Sequence, residues 1–161
     1  MDEPHDKLLV RKIEQGTVID HIPAWKSELV LRVLRLDRFG RRSADVSVAI
    51  LENVSSKLLG KKDVVKVDRW RVDEKEADLV CLIFPTVTVN YINSWKVTKY
   101  SPRVPDKIEG RIRCPELSCI SNAPREPLTP RFLTLKEERS LQCAYCDTLF
   151  DFDRIPDYVM A

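Results

Sequence analysis

The N-terminal part of this 161-residue chain alternates between β and helical patterns of apolar residues. The β-branched run from Thr17 to Ile22 predicts a strand, and the shorter apolar run from Leu8 to Ile13 predicts another before it. Gly16 permits a bend between the two. From Lys26 to about Arg38 apolar residues recur at helical spacing, and Pro23 suits the first turn of that helix.

The pattern continues with further strands and one short helix. Alternation from Val46 to Ile50 indicates a half-buried strand, and Val64 to Val67 predicts the next. The acidic stretch Val72 to Ala77 predicts one or two helical turns, and the apolar run Leu79 to Phe84 predicts a central strand that Pro85 ends. The remaining strands are expected over Thr86 to Ile92 and Trp95 to Val97.

This order predicts an α+β fold of the ferredoxin-like type with an extra strand, whose sheet leaves one face free to bind a ligand. A stiff connector follows, because Ser101 to Gly110 holds two prolines and a glycine. We therefore expect two domains, residues 1–101 and residues 102–161. The second is expected to be small, β-rich and zinc-ribbon-like, with metal ligation supplying much of its folding free energy.

Four cysteines in the C-terminal part have the spacing of a metal site: Cys114, Cys119, Cys143 and Cys146. They form a C-x4-C pair and a C-x2-C pair separated by 23 residues. Four thiolates complete a tetrahedral zinc site with no open position for water, so we expect one structural Zn²⁺ per chain. Iron is the smaller alternative. Two disulfides are the other, but the odd cysteine count and the absence of a signal-peptide pattern disfavour them.

Composition excludes several functions. Lys plus Arg number 27 and Asp plus Glu 25, so the chain lacks the basic excess typical of nucleic-acid or membrane-surface binding. It contains no apolar run long enough to cross a membrane and no glycine-rich phosphate loop. The histidines, His5 and His21, have no evident catalytic partner, and Cys81 lies in an apolar run as a small buried residue. We therefore expect a non-catalytic, cytoplasmic protein.

Five segments resemble, in order and spacing, the regulatory chain of aspartate carbamoyltransferase. They are GTVIDHIPA from Gly16, GKKDVVK from Gly60, FPTVTVN from Phe84, CPELSCISN from Cys114 and CAYC from Cys143. The resemblance covers about Leu8 to Phe150. It implies an N-terminal allosteric nucleotide-binding domain and a C-terminal zinc domain that contacts the catalytic chain. It also implies pairing of two regulatory chains, control of the first committed step of pyrimidine biosynthesis, and CTP, ATP and UTP as candidate effectors.

The resemblance also implies a nucleotide site. Backbone groups on the first strand would contact the base, Asp20 the ribose, and Lys66 both ribose and phosphate. The full set is Val10, Lys12, Ile13, Asp20, His21, Lys62, Lys66, Asn90, Ile92 and Val97. This chain departs from the family at Tyr100, where a phosphate-binding lysine is common, although Lys99 stands beside it. The alternative function is a zinc-ribbon nucleic-acid-binding module, whose sheet face would need paired exposed aromatics.

Overall fold

The computed structural model describes residues 10–36 and 45–160 and contains two compact units. The first comprises the described parts of Met1–Ser27, Ser43–Val72 and Thr86–Ser101, and the second those of Glu28–Arg42, Asp73–Pro85 and Pro102–Ala161. The start of the run from Leu8, the tail residue His5 and the expected helix end at Arg38 to Gly40 lie outside the described residues.

A five-stranded sheet forms the first unit, in the order β2-β3-β1-β4-β5 with every neighbouring pair antiparallel. Its strands are β1 (Gly16–Pro23), β2 (Ser47–Ser56), β3 (Gly60–Asp68), β4 (Thr88–Asn93) and β5 (Lys96–Tyr100). The order is that of a ferredoxin-like sheet extended by one edge strand. The predicted strand over Thr17 to Ile22 is confirmed as part of β1, and the α+β fold class is confirmed as well.

One face of this sheet is apolar and buried. Ile19, Val65, Val67 and Val89 are each at most 1 % exposed, and the residues that alternate with them along their strands are all more exposed. Burial of β-branched side chains on one face explains why the central strands are rich in valine and isoleucine. The opposite face, which we call the open face, therefore carries the residues that alternate with these.

A buried carboxylate fixes the backbone of the segment that joins β1 to the first helix. Asp63 is fully buried and accepts N–H hydrogen bonds from Lys26, Ser27 and Asn53 at 2.8, 2.9 and 2.8 Å. Helix α1 (Ser27–Val33) begins at one of these donors. Pro23 is the last residue of β1, so its predicted place in the helix's first turn is wrong.

The predicted central strand over Leu79 to Phe84 is also wrong. This run and the acidic stretch before it form one helix, α2 (Glu74–Ile83). Asp73 caps it by accepting from the Lys75 N–H at 2.7 Å, and Glu76 completes a capping box. Such a cap fixes the helix start, after which the apolar run continues as helix.

Two smaller expectations need correction. Residues 10–13 are described but form no strand, so Val10, Lys12 and Ile13 precede the first strand. The strand near Val46 is present as β2, yet Val48 and Ile50 are 38 % and 43 % exposed rather than half-buried.

The second unit contains α2, most of α1 and a four-stranded antiparallel sheet in the order β6-β7-β8-β9. These strands are β6 (Lys107–Glu109), β7 (Arg131–Leu135), β8 (Ser140–Cys143) and β9 (Leu149–Asp151). Strand β6 lies within the stretch expected to be only a connector. In the interior of this unit the rings of Phe132 and Phe150 pack edge to face, with their centroids 5.5 Å apart. No helix of the described residues has the length and apolarity needed to cross a membrane.

Candidate functional sites

The four predicted metal ligands converge on one point. The Sγ atoms of Cys114, Cys119, Cys143 and Cys146 all lie within 4.8 Å of one another. Cys114 and Cys146 are 3.6 Å apart, and Cys119 and Cys143 are 3.7 Å apart. Disulfide sulfurs would be about 2.05 Å apart, and all five cysteines are free. Tetrahedral zinc with ligands at about 2.3 Å requires sulfur separations of about 3.8 Å.

Loops on either side hold these thiols in place. The Asn122 side-chain amide donates to the carbonyls of Cys114 and Glu116 at 2.9 and 2.8 Å. Thr148 and Ser121 each place a hydroxyl 3.1 Å from a ligand sulfur, Thr148 at Cys146 and Ser121 at Cys119. The residues therefore fit a closed, four-thiolate structural site, in which bound zinc would supply cross-linking of the two loops.

The local environment shifts the pKa values of three of the thiols in different directions. Burial raises the pKa of the Cys114 and Cys143 thiols above the ordinary value. Burial acts in the same direction on Cys146, but hydrogen bonding with Thr148 and the neighbouring thiols outweighs it and lowers the pKa of Cys146 to about 7. The buried thiols of Cys114 and Cys143 therefore need a cation nearby to become thiolates.

Cys81 is separate from this cluster. It is 5 % exposed, and its Sγ lies 3.6 Å from the carbonyl oxygen of Pro102. Burial and then the charge of Asp78 raise its thiol pKa. It behaves as the small buried residue that its apolar surroundings predict.

The open face of the five-stranded sheet collects most of the residues that the resemblance assigned to a nucleotide. Residues paired across antiparallel strands point to the same face, and so do residues two apart on one strand. Lys66 pairs with Val18, and Val18 pairs with Asn90. By this register six of the assigned residues lie on the open face: Asp20, Lys62, Lys66, Asn90, Ile92 and Val97.

Asp20 and His21 lie at an irregular part of β1. Lys62 Nζ is 2.8 Å from Asp20 Oδ1, which also accepts the His21 N–H at 2.6 Å. The β1–β3 register shifts between Ile19 and Ile22, and His21 has a left-handed φ of 58°. The His21 Nδ1 atom thereby reaches Thr88 Oγ1, on the open face, at 2.9 Å.

The remaining assigned residues line a cavity of about 710 Å³ beside β2 and β3. Val10, Lys12, Ile13 and Lys66 all contribute to its wall. Lys66 therefore belongs both to the wall of this cavity and to the cross-strand set Lys66, Val18 and Asn90 on the open face. Its Nζ lies 3.5 Å from the Arg11 carbonyl oxygen.

The cavity is more basic than the sequence analysis indicated. Arg11, Lys12, Lys66 and Arg69 supply four cations to its lining, against the two carboxylates Glu14 and Asp68. Sequence reasoning missed Arg11 and Arg69, because their approach depends on the segment before β1 folding against the end of β3. The Arg69 N–H donates to the Gln15 carbonyl at 2.8 Å, which fixes that approach.

Comparison with known proteins identifies the family. The family model described as the aspartate carbamoyltransferase regulatory chain, allosteric domain, matches residues 8–102. The model described as its metal binding domain matches residues 106–156. The chain belongs to the family of aspartate carbamoyltransferase regulatory chains. The sequence resemblance is thereby confirmed.

Curated regulatory chains from several archaea are similar over most of their length. The Pyrobaculum neutrophilum chain is 44 % identical over 142 residues, which is 87 % of this chain and 91 % of its own. The Thermofilum pendens chain is 40 % identical over 156 residues, 96 % of each chain. The Saccharolobus solfataricus chain is 43 % identical over 152 residues, 93 % of this chain and 92 % of its own.

Family membership agrees with the chemistry of both sites. A regulatory chain is a non-catalytic subunit, which matches the expectation drawn from the sparse catalytic residues. The four thiols lie within the matched metal binding domain, consistent with one structural zinc. Phe84, Tyr91 and Trp95 do not form the paired exposed aromatics that the nucleic-acid alternative requires, because Phe84 and Tyr91 are buried and Trp95 lies in the turn before β5.

Proposed function

We propose that this chain binds nucleoside triphosphates on the open face of its five-stranded sheet and thereby regulates aspartate carbamoyltransferase in the cytoplasm. The observation that carries the proposal is the position of Lys66. It lies on the wall of the basic cavity and in the same cross-strand row as Asn90. Within residues 10–36 and 45–160, no carboxylate forms an ion pair with Lys66. A lysine ammonium that is free of a carboxylate partner is suited to phosphate.

The neighbouring groups suit the other parts of a nucleotide. Asp20 Oδ1 is taken by Lys62 and by the His21 N–H, so we assign Oδ2 to accept from a ribose hydroxyl. Ile92 and Val97 are cross-strand partners and offer an apolar surface to the base or sugar. Val10, Lys12 and Ile13 are proposed to contact the base through backbone groups. CTP and ATP are the proposed effectors, with UTP as a further candidate.

The C-terminal unit is proposed to contact the catalytic chain. Leu117 and Ile120 flank the ligand Cys119 and are 85 % and 51 % exposed. Apolar side chains held outward by a rigid metal knuckle suit a protein interface better than solvent. We assign residues 1–101 to the allosteric nucleotide-binding domain and residues 102–161 to the zinc domain that holds regulatory and catalytic chains together.

Two regulatory chains are proposed to pair through their N-terminal parts. Strand β2 is an edge strand of ten residues, and no described strand pairs with its outer edge. Val48 and Ile50 on this strand are exposed. A long edge strand with exposed apolar residues is a template for pairing with a second chain.

Regulation then follows from unequal binding. A non-catalytic chain changes an enzyme's rate only if its effector binds two states of the assembly with different affinities. The coupling is reciprocal, so substrate at the catalytic chain must weaken or strengthen nucleotide binding by the same factor.

The proposal is tested by calorimetric titration of the zinc-loaded full chain with CTP and ATP. Replacing Lys66 by Gln is expected to weaken binding about tenfold, the effect of losing one charged hydrogen bond. Lys61→Gln is the matched control, because Lys61 is exposed on the same strand but lies on the opposite face. Nucleotide binding that is the same in both variants would refute the site.

A further inference from the structure

A second, smaller cavity lies at the end of the five-stranded sheet where β1 begins. Its volume is about 140 Å³, against about 710 Å³ for the cavity beside β2 and β3, which we call the nucleotide cavity. The small cavity is lined by residues around the start of β1, at the end of β4 and after β3: Gln15, Gly16, Ile92, Asn93, Arg69, Trp70 and Arg71. Its lining holds two guanidinium groups and two side-chain amides but no carboxylate, a combination that favours an anion.

Arg71 is held over an aromatic ring and not by a carboxylate. Its guanidinium carbon lies 3.8 Å from the centroid of the Tyr91 ring. That ring is fixed, because Tyr91 is 5 % exposed and its hydroxyl donates to the Val72 carbonyl oxygen at 2.7 Å. Among the residues that the structure describes, no carboxylate forms an ion pair with Arg71. Stacking positions a guanidinium while its in-plane N–H groups remain able to donate to a ligand.

Arg69 is held through its backbone. Its N–H donates to the Gln15 carbonyl oxygen at 2.8 Å, and its φ of 61° lies in the left-handed region that residues other than glycine rarely adopt. Its guanidinium lies 3.7 Å from the carboxylate of the adjacent Asp68, and the Arg69 side chain is 70 % exposed. An exposed pair of this kind contributes little free energy, so the guanidinium can exchange to another anion.

We propose that the small cavity binds a single phosphate group between the guanidinium groups of Arg69 and Arg71. Arginine matches phosphate through paired N–H donors, and two guanidinium groups suit a tetrahedral oxyanion better than a planar carboxylate. A volume of about 140 Å³ is below the size of cavities that enclose a nucleoside, but it has room for one phosphate. Gln15 and Asn93 add side-chain amides to the same wall.

This phosphate site adjoins the nucleotide cavity. Arg69 and Gln15 line both cavities. Trp70, Arg71 and Asn93 line the small one and not the other. A guanidinium drawn toward one anion is less available to a second, so bound phosphate and bound nucleotide are expected to weaken each other by the same factor. That coupling rests on the proposed function, whereas phosphate binding itself does not.

Phosphate binding is measured by nuclear magnetic resonance on the zinc-loaded full chain, in which each of the three tryptophans has one indole N–H group. Trp70 lines the small cavity, whereas Trp25 and Trp95 do not and serve as internal controls. Sodium phosphate, titrated against sodium chloride of matched ionic strength, is expected to shift the Trp70 signal to saturation and to leave the other two in place. The variant Trp70→Phe identifies that signal by its loss.

Four variants separate the two cavities. Arg71→Gln is expected to weaken phosphate binding about tenfold and to leave CTP affinity within about twofold of the wild type. Arg125→Gln is the matched control, because Arg125 is exposed and lines neither cavity. Lys66→Gln is expected to weaken CTP binding but not phosphate binding. Saturating phosphate is expected to weaken CTP binding to the wild type about fivefold, and Arg69→Gln should abolish this effect.

The outcomes distinguish this inference from the proposed function. If the Trp70 signal shifts no more than those of Trp25 and Trp95, or if Arg71→Gln binds phosphate as Arg125→Gln does, the phosphate site is overturned and the nucleotide site is unaffected. If phosphate binds but leaves CTP affinity unchanged, the coupling is overturned and the phosphate site stands. If the wild type binds phosphate at Trp70 but no CTP, the proposed function fails and the phosphate site stands.

Discussion

Arg111 places its guanidinium 3.5 Å from the carboxylate of Glu76, whose side chain is only 5 % exposed. The same guanidinium lies 3.7 Å from Asp73, the residue that caps α2. Arg111 also lies three residues before the metal ligand Cys114. This ion pair therefore fastens the start of α2 to the segment that enters the metal site, inside one compact unit.

Replacing Arg111 by Leu is expected to lower the free energy of unfolding by about 2 kcal/mol, because the buried Glu76 carboxylate loses its guanidinium. Urea denaturation of the zinc-loaded chain measures this change. Arg131→Leu is the control, since Arg131 and Glu109 form an exposed pair at 3.8 Å worth under about 1 kcal/mol. Equal losses in the two variants would contradict a structural role for the Arg111 pair.

Gly16, at the start of β1, is expected to tolerate no side chain. It has a φ of +148°, and a Cβ there would lie 2.1 Å from the Val67 carbonyl oxygen. Gly16→Ala should therefore cost about 3 kcal/mol of stability, from steric overlap as well as backbone strain. Gly60 has a φ of +75° with no atom within 4 Å of its Cβ position, so Gly60→Ala should cost only about 1 kcal/mol. Thermal unfolding of both variants checks the difference, and equal shifts would refute the close contact.

Zinc affinity is expected to fall steeply as the pH falls. Burial raises the pKa of Cys114 and Cys143, so both stay protonated through the neutral range without metal, and zinc must displace both protons. These two protons alone correspond to a change in apparent affinity of about a hundredfold per pH unit, so the slope is expected to be at least that steep. Competition with a chelator of known protonation between pH 6.5 and 7.5 measures the slope. An affinity that is independent of pH over this interval would contradict ligation by these buried thiols.

The metal site was predictable from sequence, whereas helix α2 was not. Four thiols in two close pairs leave few arrangements other than one shared ion, and the structure brings the four together. The apolar run Leu79 to Phe84 was ambiguous, because a buried strand and a buried helix segment have the same composition. The sequence did contain a feature that favours the helix, because Asp73 and Glu76 have the spacing of a capping box. Glu76, one of the two, is buried in the structure.

The sequence alone did not show which side chains share the open face. Strand register determines that Lys66 and Lys99 share a face, while Tyr100 does not, and register depends on pairing between distant segments. The N–H bonds from Lys26 and Ser27 to the buried Asp63 also join residues far apart in sequence. A polar residue within a strand pattern gives no indication of such partners.

The central claim is that this chain regulates aspartate carbamoyltransferase through a zinc-dependent contact with the catalytic chain. Size-exclusion chromatography with light scattering, using the catalytic subunit of the same organism's aspartate carbamoyltransferase, tests it most directly. Wild type and Cys81→Ala, which keeps all four ligands, are expected to co-elute with the catalytic subunit and make its activity respond to CTP or ATP. Cys119→Ser is expected to lose zinc and elute alone. A zinc-loaded wild-type chain that elutes apart from the catalytic subunit, or a metal-free chain that remains bound to it, would contradict the account.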